Sequence, residues 1–255
     1  MYNWSNINLT YVYDGSFEGY LTTIFYIFES KQIPMYIKSE NASMPFTYPI
    51  FHIETDISKS YRVFQGILKI SELTLYYTNN VFLSSFEEKE ILILKYLIDA
   101  FKYGTEVNHM LALDEVLKMQ KINKTVLLEI QRLKGFIRFS EIAPNLFFTE
   151  IEPDNNITEI LCEHFQKRFP LQNFIIQDCK RNLIGIYNEH EISIKENCVL
   201  HINRLSHKEL HYQDMWKEFF KTVAITERKN SRLQKQYMPK RYWKYIFETS
   251  AQQES

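Results

Sequence analysis

The sequence predicts an α+β fold, and three observations carry that expectation. Apolar residues recur at helical spacing through most of residues 1–133. From Gly135 the apolar runs shorten to strand length in a β-β-α-β-β order, and the chain itself opens on a strand, a tight turn and a helix. The expected organisation is a mainly helical region over 1–133, a mixed α/β region with a basic C-terminal segment over 134–249, and a disordered tail over 250–255.

Thr10-Tyr-Val-Tyr13 alternates as a short strand and enters Asp14-Gly15-Ser16, a turn that can also cap a helix over Phe17–Ser30. Within that helix Leu21, Ile24, Phe25 and Phe28 recur at three and four, giving one buried face. Pro34, Pro45 and Pro49 mark an irregular stretch, with Ile50–Glu54 as a second strand. Helices follow at Ser58–Tyr76, Phe86–Tyr103 and Val107–Leu133. Ser85 and Glu88 form a capping-box pattern for the second. Asn123-Lys-Thr125 predicts a break in the third, because Asn and Thr side chains compete with the helical backbone.

Strands are expected at Phe136–Phe139, Leu146–Glu152, Asn173–Asp178 and Leu183–Tyr187. Asn156 and Glu159 form a second capping box, ahead of a helix over Ile157–Phe169 that Pro170 ends. After a polar stretch bearing histidines, Ser206 and Glu209 cap a helix containing Trp216, Phe219, Phe220 and Val223.

The 255 residues include 17 Tyr and 19 Phe but 6 Gly, a skew that a low-GC coding genome produces, so Lys-rich stretches count as a signal only where Arg and aromatics accompany them. Cys162, Cys179 and Cys198 contain no C-x-x-C pair, which suggests neither a disulfide framework nor a metal or iron-sulfur site. The N-terminus lacks the order of a signal peptide, and the longest apolar stretches are too short and amphipathic to span a bilayer, so the expectation is a cytoplasmic protein without a membrane partner. No G-x-S-x-G, Walker loop or dinucleotide fingerprint occurs, and no cofactor is called for.

Charge is unevenly distributed. The net charge is -1, yet Thr226–Tyr245 carries seven cations against the one anion Glu227, leaving -7 for the remainder. The expected nucleic-acid contacts are Arg228, Lys229, Asn230, Arg232, Lys235, Lys240, Arg241 and Lys244, with Arg138 as a further phosphate clamp. Tyr242 and Trp243 are candidates to stack on unpaired bases, an interaction worth roughly 1–3 kcal/mol per base. The same segment also reads as an amphipathic terminal helix whose aromatics pack on the body while its cations face solvent.

Glu150, Glu152 and Asp154 alternate at a strand end, where residues two apart share a face, and form a candidate catalytic carboxylate set for metal-assisted phosphodiester chemistry. The competing reading is a solvated sheet face, or ion pairs with Arg138 and Arg181. His207 and His211 are four apart but lack the rest of a metal motif, so no metal site is assigned. A break at Asn123–Thr125 followed by strands would also resemble a helix-turn-helix with a β wing, on a face that is mixed rather than basic.

Several stretches together resemble a known family: Tyr13-Asp-Gly-Ser-Phe-Glu-Gly19, Gly135-Phe-Ile-Arg-Phe139, Glu150-Ile-Glu-Pro-Asp154, His164 with Arg168-Phe-Pro170, and Glu227-Arg-Lys-Asn230 leading to Met238-Pro-Lys-Arg-Tyr-Trp243. The chain is similar to the bacterial family described as a DNA metabolism or DNA repair protein, encoded beside a radical SAM protein of DNA modification or repair and in some members fused to a uracil-DNA-glycosylase-like domain. The resemblance implies DNA and that radical SAM protein as partners. It transfers no catalytic residues. The expected function is therefore a DNA-binding accessory to a radical SAM enzyme. The alternative is a metal-dependent nuclease or base-processing repair enzyme using Glu150, Glu152 and Asp154.

Overall fold

The opening strand, turn and helix are present, and the strand is longer than expected: β1 covers Ser5–Tyr13 and α1 covers Phe17–Ser30. A computed structural model describes residues 4–42, 47–202, 205, 207–223 and 230–246. The fold is α+β. It divides into two compact units, Met1–Val126 and Leu127–Ser255.

In the first unit the turn forms because Asp14 Oδ1 accepts from the Ser16 N–H at 2.9 Å and from its hydroxyl at 2.6 Å, while Ser16 Oγ accepts from the Gly19 N–H and caps α1. Lys31, in the left-handed region at φ 57°, ends the helix and turns the chain into β2, Gln32–Ser39. β2 and β3, Ile50–His52, both pair parallel with the central β1.

Pro34 therefore lies inside a strand rather than an irregular stretch. β2 is an edge strand, where a missing N–H is tolerated, and the register shifts between Ile7, which faces Pro34, and Thr10. Pro45 lies outside the described residues.

The helix expected over Ser58–Tyr76 is two, α2 at Ile57–Ile70 and α3 at Glu72–Phe82, because Ser71 Oγ accepts from the Thr74 N–H and starts a new helix. α4 covers Lys89–Tyr103. Its N-cap, Glu88, makes no side-chain capping bond, so the Ser85–Glu88 box does not set its start. A 3-10 turn, Gly104–His109, replaces the first residues of the next expected helix.

α5 then runs unbroken from Asp114 to Phe136. The break expected at Asn123–Thr125 does not occur because both side chains find partners compatible with the helix. Asn123 Oδ1 accepts from Asn80 Nδ2 at 2.7 Å in the interior, and the Thr125 hydroxyl donates back to the Lys121 carbonyl one turn earlier. Without the break, the helix-turn-helix expected there does not form. The core of this unit joins Tyr20, Ile24 and Ile27 of α1 to Ile67 of α2 and Leu94, Tyr96 and Leu97 of α4.

In the second unit, among the described residues, five strands order as β4 (Ser140–Ala143), β5 (Leu146–Ile151), β6 (Asn173–Asp178), β7 (Leu183–Tyr187) and β8 (Ile192–Lys195). β5 and β6 pair parallel through the crossover helix α6, Thr158–Arg168, and the other neighbours are antiparallel. β6 and β7 match the expected boundaries; β8 was hidden in the polar stretch.

The strand expected at Phe136–Phe139 is absent. The Ile137 N–H still donates to the Leu133 carbonyl as the helix closes, and Phe139 packs edge-on against Phe165 at 5.0 Å between centroids. The Asn156–Glu159 box is not used either, since Ile157 is the N-cap of α6 and makes no side-chain bond.

Gly185 on β7 lets α6 approach the sheet, because a Cβ there would overlap Cys162 Sγ. The chain continues through α7, His207–Val223, then α8, Ser231–Tyr237, and a 3-10 turn at Lys240–Tyr245. Ser206 and the tail 250–255 lie outside the described residues. Among the described residues no helix is long and apolar enough to cross a membrane.

Candidate functional site

The basic segment is two short helical pieces separated by Pro239, and its residues divide into distinct groups. Arg228 and Lys229 lie outside the described residues. Asn230 is the N-cap of α8, accepting from the Leu233 N–H at 3.0 Å. Arg232, Lys235 and Lys240 are exposed and make no ion pair among the described residues. Arg241 and Lys244 do pair, and Tyr242 and Trp243 are interior.

Tyr242 and Trp243, expected to stack on bases, are 2% and 5% exposed and have no free faces to offer. Tyr242 donates its hydroxyl to Glu129 Oε1 at 2.7 Å, and Trp243 Nε1 donates to the Met238 carbonyl at 2.9 Å. Both lie on the 3-10 turn whose N-cap is Pro239, and the Pro239 carbonyl accepts from the Tyr242 N–H at 3.0 Å.

Glu129 is the centre of that attachment. Its buried carboxylate accepts from the Asp154 and Asn155 N–H groups at 2.9 Å each, from Asn155 Nδ2 at 2.7 Å, from Arg241 Nη2 at 3.1 Å and from Tyr242. Burying a carboxylate is costly unless donors surround it, and here five do. Arg241 also pairs with Asp154, which Lys180 approaches at 3.2 Å.

The three candidate catalytic carboxylates do not converge on one point. β5 ends at Ile151, so Glu150 and Glu152 do not continue along one strand face. Glu150 accepts from Gln177 Nε2 at 3.2 Å, Glu152 pairs with Lys244 at 2.7 Å, and Asp154 is held by Arg241 and Lys180. The Lys244 ammonium lowers the Glu152 carboxyl pKa against a smaller opposing effect of burial. For Asp154 burial is the largest influence and raises the pKa, but bonds from Arg241 and Lys180 outweigh it and the carboxyl titrates below its ordinary range. Among the described residues no group of three or more His, Cys, Asp or Glu is placed to hold a metal ion.

Arg138 is not among these carboxylates. Its Nη1 donates to the Gly135 and Ile137 carbonyls at the end of α5, and its guanidinium sits 5.9 Å from the Trp216 ring. Arg181 instead anchors the β6–β7 turn through buried Asp178 at 2.9 Å and also donates to the Pro153 and Asp154 carbonyls.

Arg138 opens onto a cleft of about 570 Å³ that no linear motif announced. Three elements build it. The end of α5 and the residues after it supply Lys134, Arg138 and Phe139; the end of α6 supplies Phe165, Arg168 and Phe169, followed by Gln172; α7 supplies Glu209, Tyr212, Gln213 and Trp216. The α7 residues fall at three, four and seven, one helical face. That face is anchored to β4, since Glu209 Oε2 accepts from the Glu141 N–H at 3.1 Å and Gln213 Nε2 donates to Ser140 Oγ at 3.2 Å.

Aromatic rings pack the floor: Phe165 and Phe169 stack at 6.0 Å with 4° between planes, and Phe139 meets Phe174 at 5.5 Å. The Arg168 guanidinium lies 5.4 Å from the Phe169 ring. Among the described residues that line the cleft, Lys134, Arg138 and Arg168 accompany one acid, Glu209, whose carboxylate accepts from the Glu141 N–H and Gln213 Nε2. The cationic field reaches His164, whose pKa is lowered first by burial and then by Lys134, Arg168 and Lys167. A cleft of this composition can hold a planar ring and an anionic group together. The signal that could have found it is the pairing of Arg168 with Phe169 and the 209–212–213–216 spacing, which the sequence shows only as ordinary helix faces.

Fold and site together define an α+β protein with an aromatic, cation-rimmed cleft in its second unit. The chain belongs to the DUF4130 family, described as a domain of unknown function, whose model matches residues 87–248. No curated protein and no solved structure matches the chain.

Proposed function

We propose that this is a DNA-binding protein of DNA repair or modification, acting as an accessory to a radical SAM enzyme. The observation that carries the DNA-binding part is the cleft that sets Lys134, Arg138 and Arg168 around an aromatic floor and wall. Cations supply sequence-independent phosphate contacts and aromatic faces accept bases, the combination used for single strands. Exposed Arg232, Lys235 and Lys240 offer further cations, whereas Arg241 and Lys244 are already paired with this chain's own carboxylates. The repair setting and the radical SAM partner are supported by the family resemblance of the motifs.

The nuclease reading gains no comparable support, since Glu152 and Asp154 are held by Lys244, Lys180 and Arg241. The test is binding of a fluorescent single-stranded oligonucleotide, followed by anisotropy from about 50 mM to 200 mM salt. Binding should weaken with salt, and replacing Lys134 and Arg168 by Ala should reduce the magnitude of the log–log slope by about 1.4, at about 0.7 per phosphate contact. No binding at the lowest salt, or an unchanged slope in the variant, would overturn the proposal.

A further inference from the structure

Beyond general affinity for a strand, the cleft has three kinds of surface that correspond to the parts of one nucleotide. Trp216 is 41% exposed at the cleft wall, where its ring also meets Phe219 at 5.7 Å and the Arg138 guanidinium. Gln172 and Gln213 contribute amides. The Gln213 amide is oriented by donating Nε2 to Glu209 Oε1 at 2.9 Å and to Ser140 Oγ, which leaves its oxygen without a donor among the described residues. The Gln172 side chain makes no hydrogen bond among the described residues. Lys134, Arg138 and Arg168 supply positive charge around them.

We infer that the cleft takes one unstacked nucleobase of a DNA strand, its ring against Trp216, its polar edge on Gln172 and Gln213, and its flanking phosphates at Lys134, Arg138 and Arg168. This rests on the DNA-binding reading above and specifies the form of DNA that the site selects. A base inside a duplex has both faces covered by its neighbours and its pairing edge occupied, so it presents neither a stacking face nor a free Watson–Crick edge. An aliphatic ligand would desolvate the two amides without satisfying them, and a sugar phosphate without a base would leave the aromatic faces uncovered. The volume is in the range of clefts that enclose a small ligand.

The experiment compares equal-length fluorescent DNAs: a fully paired duplex, the same duplex with one bulged base, and that duplex with an abasic residue at the bulge. The bulged duplex should bind at least about tenfold tighter than the other two. Trp216→Ala should weaken it by about fivefold or more while Trp216→Phe keeps most of the affinity, as stacking requires. Circular dichroism of both variants checks the fold, and 2-aminopurine at the bulge, bound to the unaltered protein, should lose fluorescence on stacking.

Equal binding of all three duplexes, or an unquenched 2-aminopurine in the bound complex, sinks the inference and leaves DNA binding intact. Failure of every DNA to bind sinks the DNA-binding reading itself. A free deoxynucleoside monophosphate that competes as well as the bulged duplex would also overturn the inference, by making the site one for a free nucleotide.

Discussion

Tyr242 donates to Glu129 Oε1 at 2.7 Å, a bond between residues 113 apart in the chain. Glu129 is 4% exposed and has four further donors, so the carboxylate and the 3-10 turn at Lys240–Tyr245 depend on each other. Replacing Glu129 by Ala leaves these donors facing a gap. The expected loss is about 3 kcal/mol, read as a lower midpoint in urea unfolding.

Trp243 fills space in the interior rather than reaching solvent. Trp243→Ala should therefore cost about 3–5 kcal/mol in stability, the usual penalty for a large aromatic cavity. Its effect on DNA affinity, measured by anisotropy below the melting transition, should stay within about twofold. Loss of affinity without loss of stability would instead make Trp243 a contact residue.

Acid should loosen the C-terminal attachment. The native pKa values of Glu152 and Asp154 are lowered, so as pH falls the unfolded chain takes up protons on these groups before the folded one does. Their contribution is complete above the ordinary carboxylate range, near about pH 4, and is lost as pH falls through the depressed native values. Glu152→Gln with Asp154→Asn should flatten that acid limb in urea midpoints measured from about pH 5 downward. An unchanged limb would mean that the ion pairs contribute nothing.

Gly185 and Cys162 are predicted to be coupled. Gly185→Ala places a methyl group against Cys162 Sγ and should cost about 2 kcal/mol through overpacking, whereas Cys162→Ala in the same chain should recover part of it. A double-mutant cycle in thermal unfolding checks this. Burial also pushes the Cys162 thiol up to about 12, so alkylating reagents at neutral pH should reach it only after unfolding.

Local pattern was legible where local chemistry decides. α1 follows the Leu21–Ile24–Phe25–Phe28 spacing and the Ser16 cap, and β6 and β7 follow their apolar runs. Where a distant partner decides, pattern misled. Asn123 looks like a helix breaker until Asn80, 43 residues away, accepts its side chain as a partner. Arg241 and Lys244 count as two free cations in a charge sum, but Glu129, Asp154 and Glu152, which neutralise them, lie 87 to 112 residues earlier. The cleft was illegible for the same reason, since the ends of α5 and α6 and one face of α7 meet only after the β5–α6–β6 crossover is made.

The span between Glu129 and Tyr242 also sets an order of events during synthesis. At about 5–20 residues per second, the ribosome makes the aromatic donor on the order of ten seconds after the acid it must satisfy. Through most of that interval the carboxylate has only the Asp154 and Asn155 donors available, and leaving water with two of five donors missing is unfavourable. The Lys240–Tyr245 turn therefore supplies the last two of the five donors, from Arg241 and Tyr242, and completes the enclosure of the Glu129 carboxylate late.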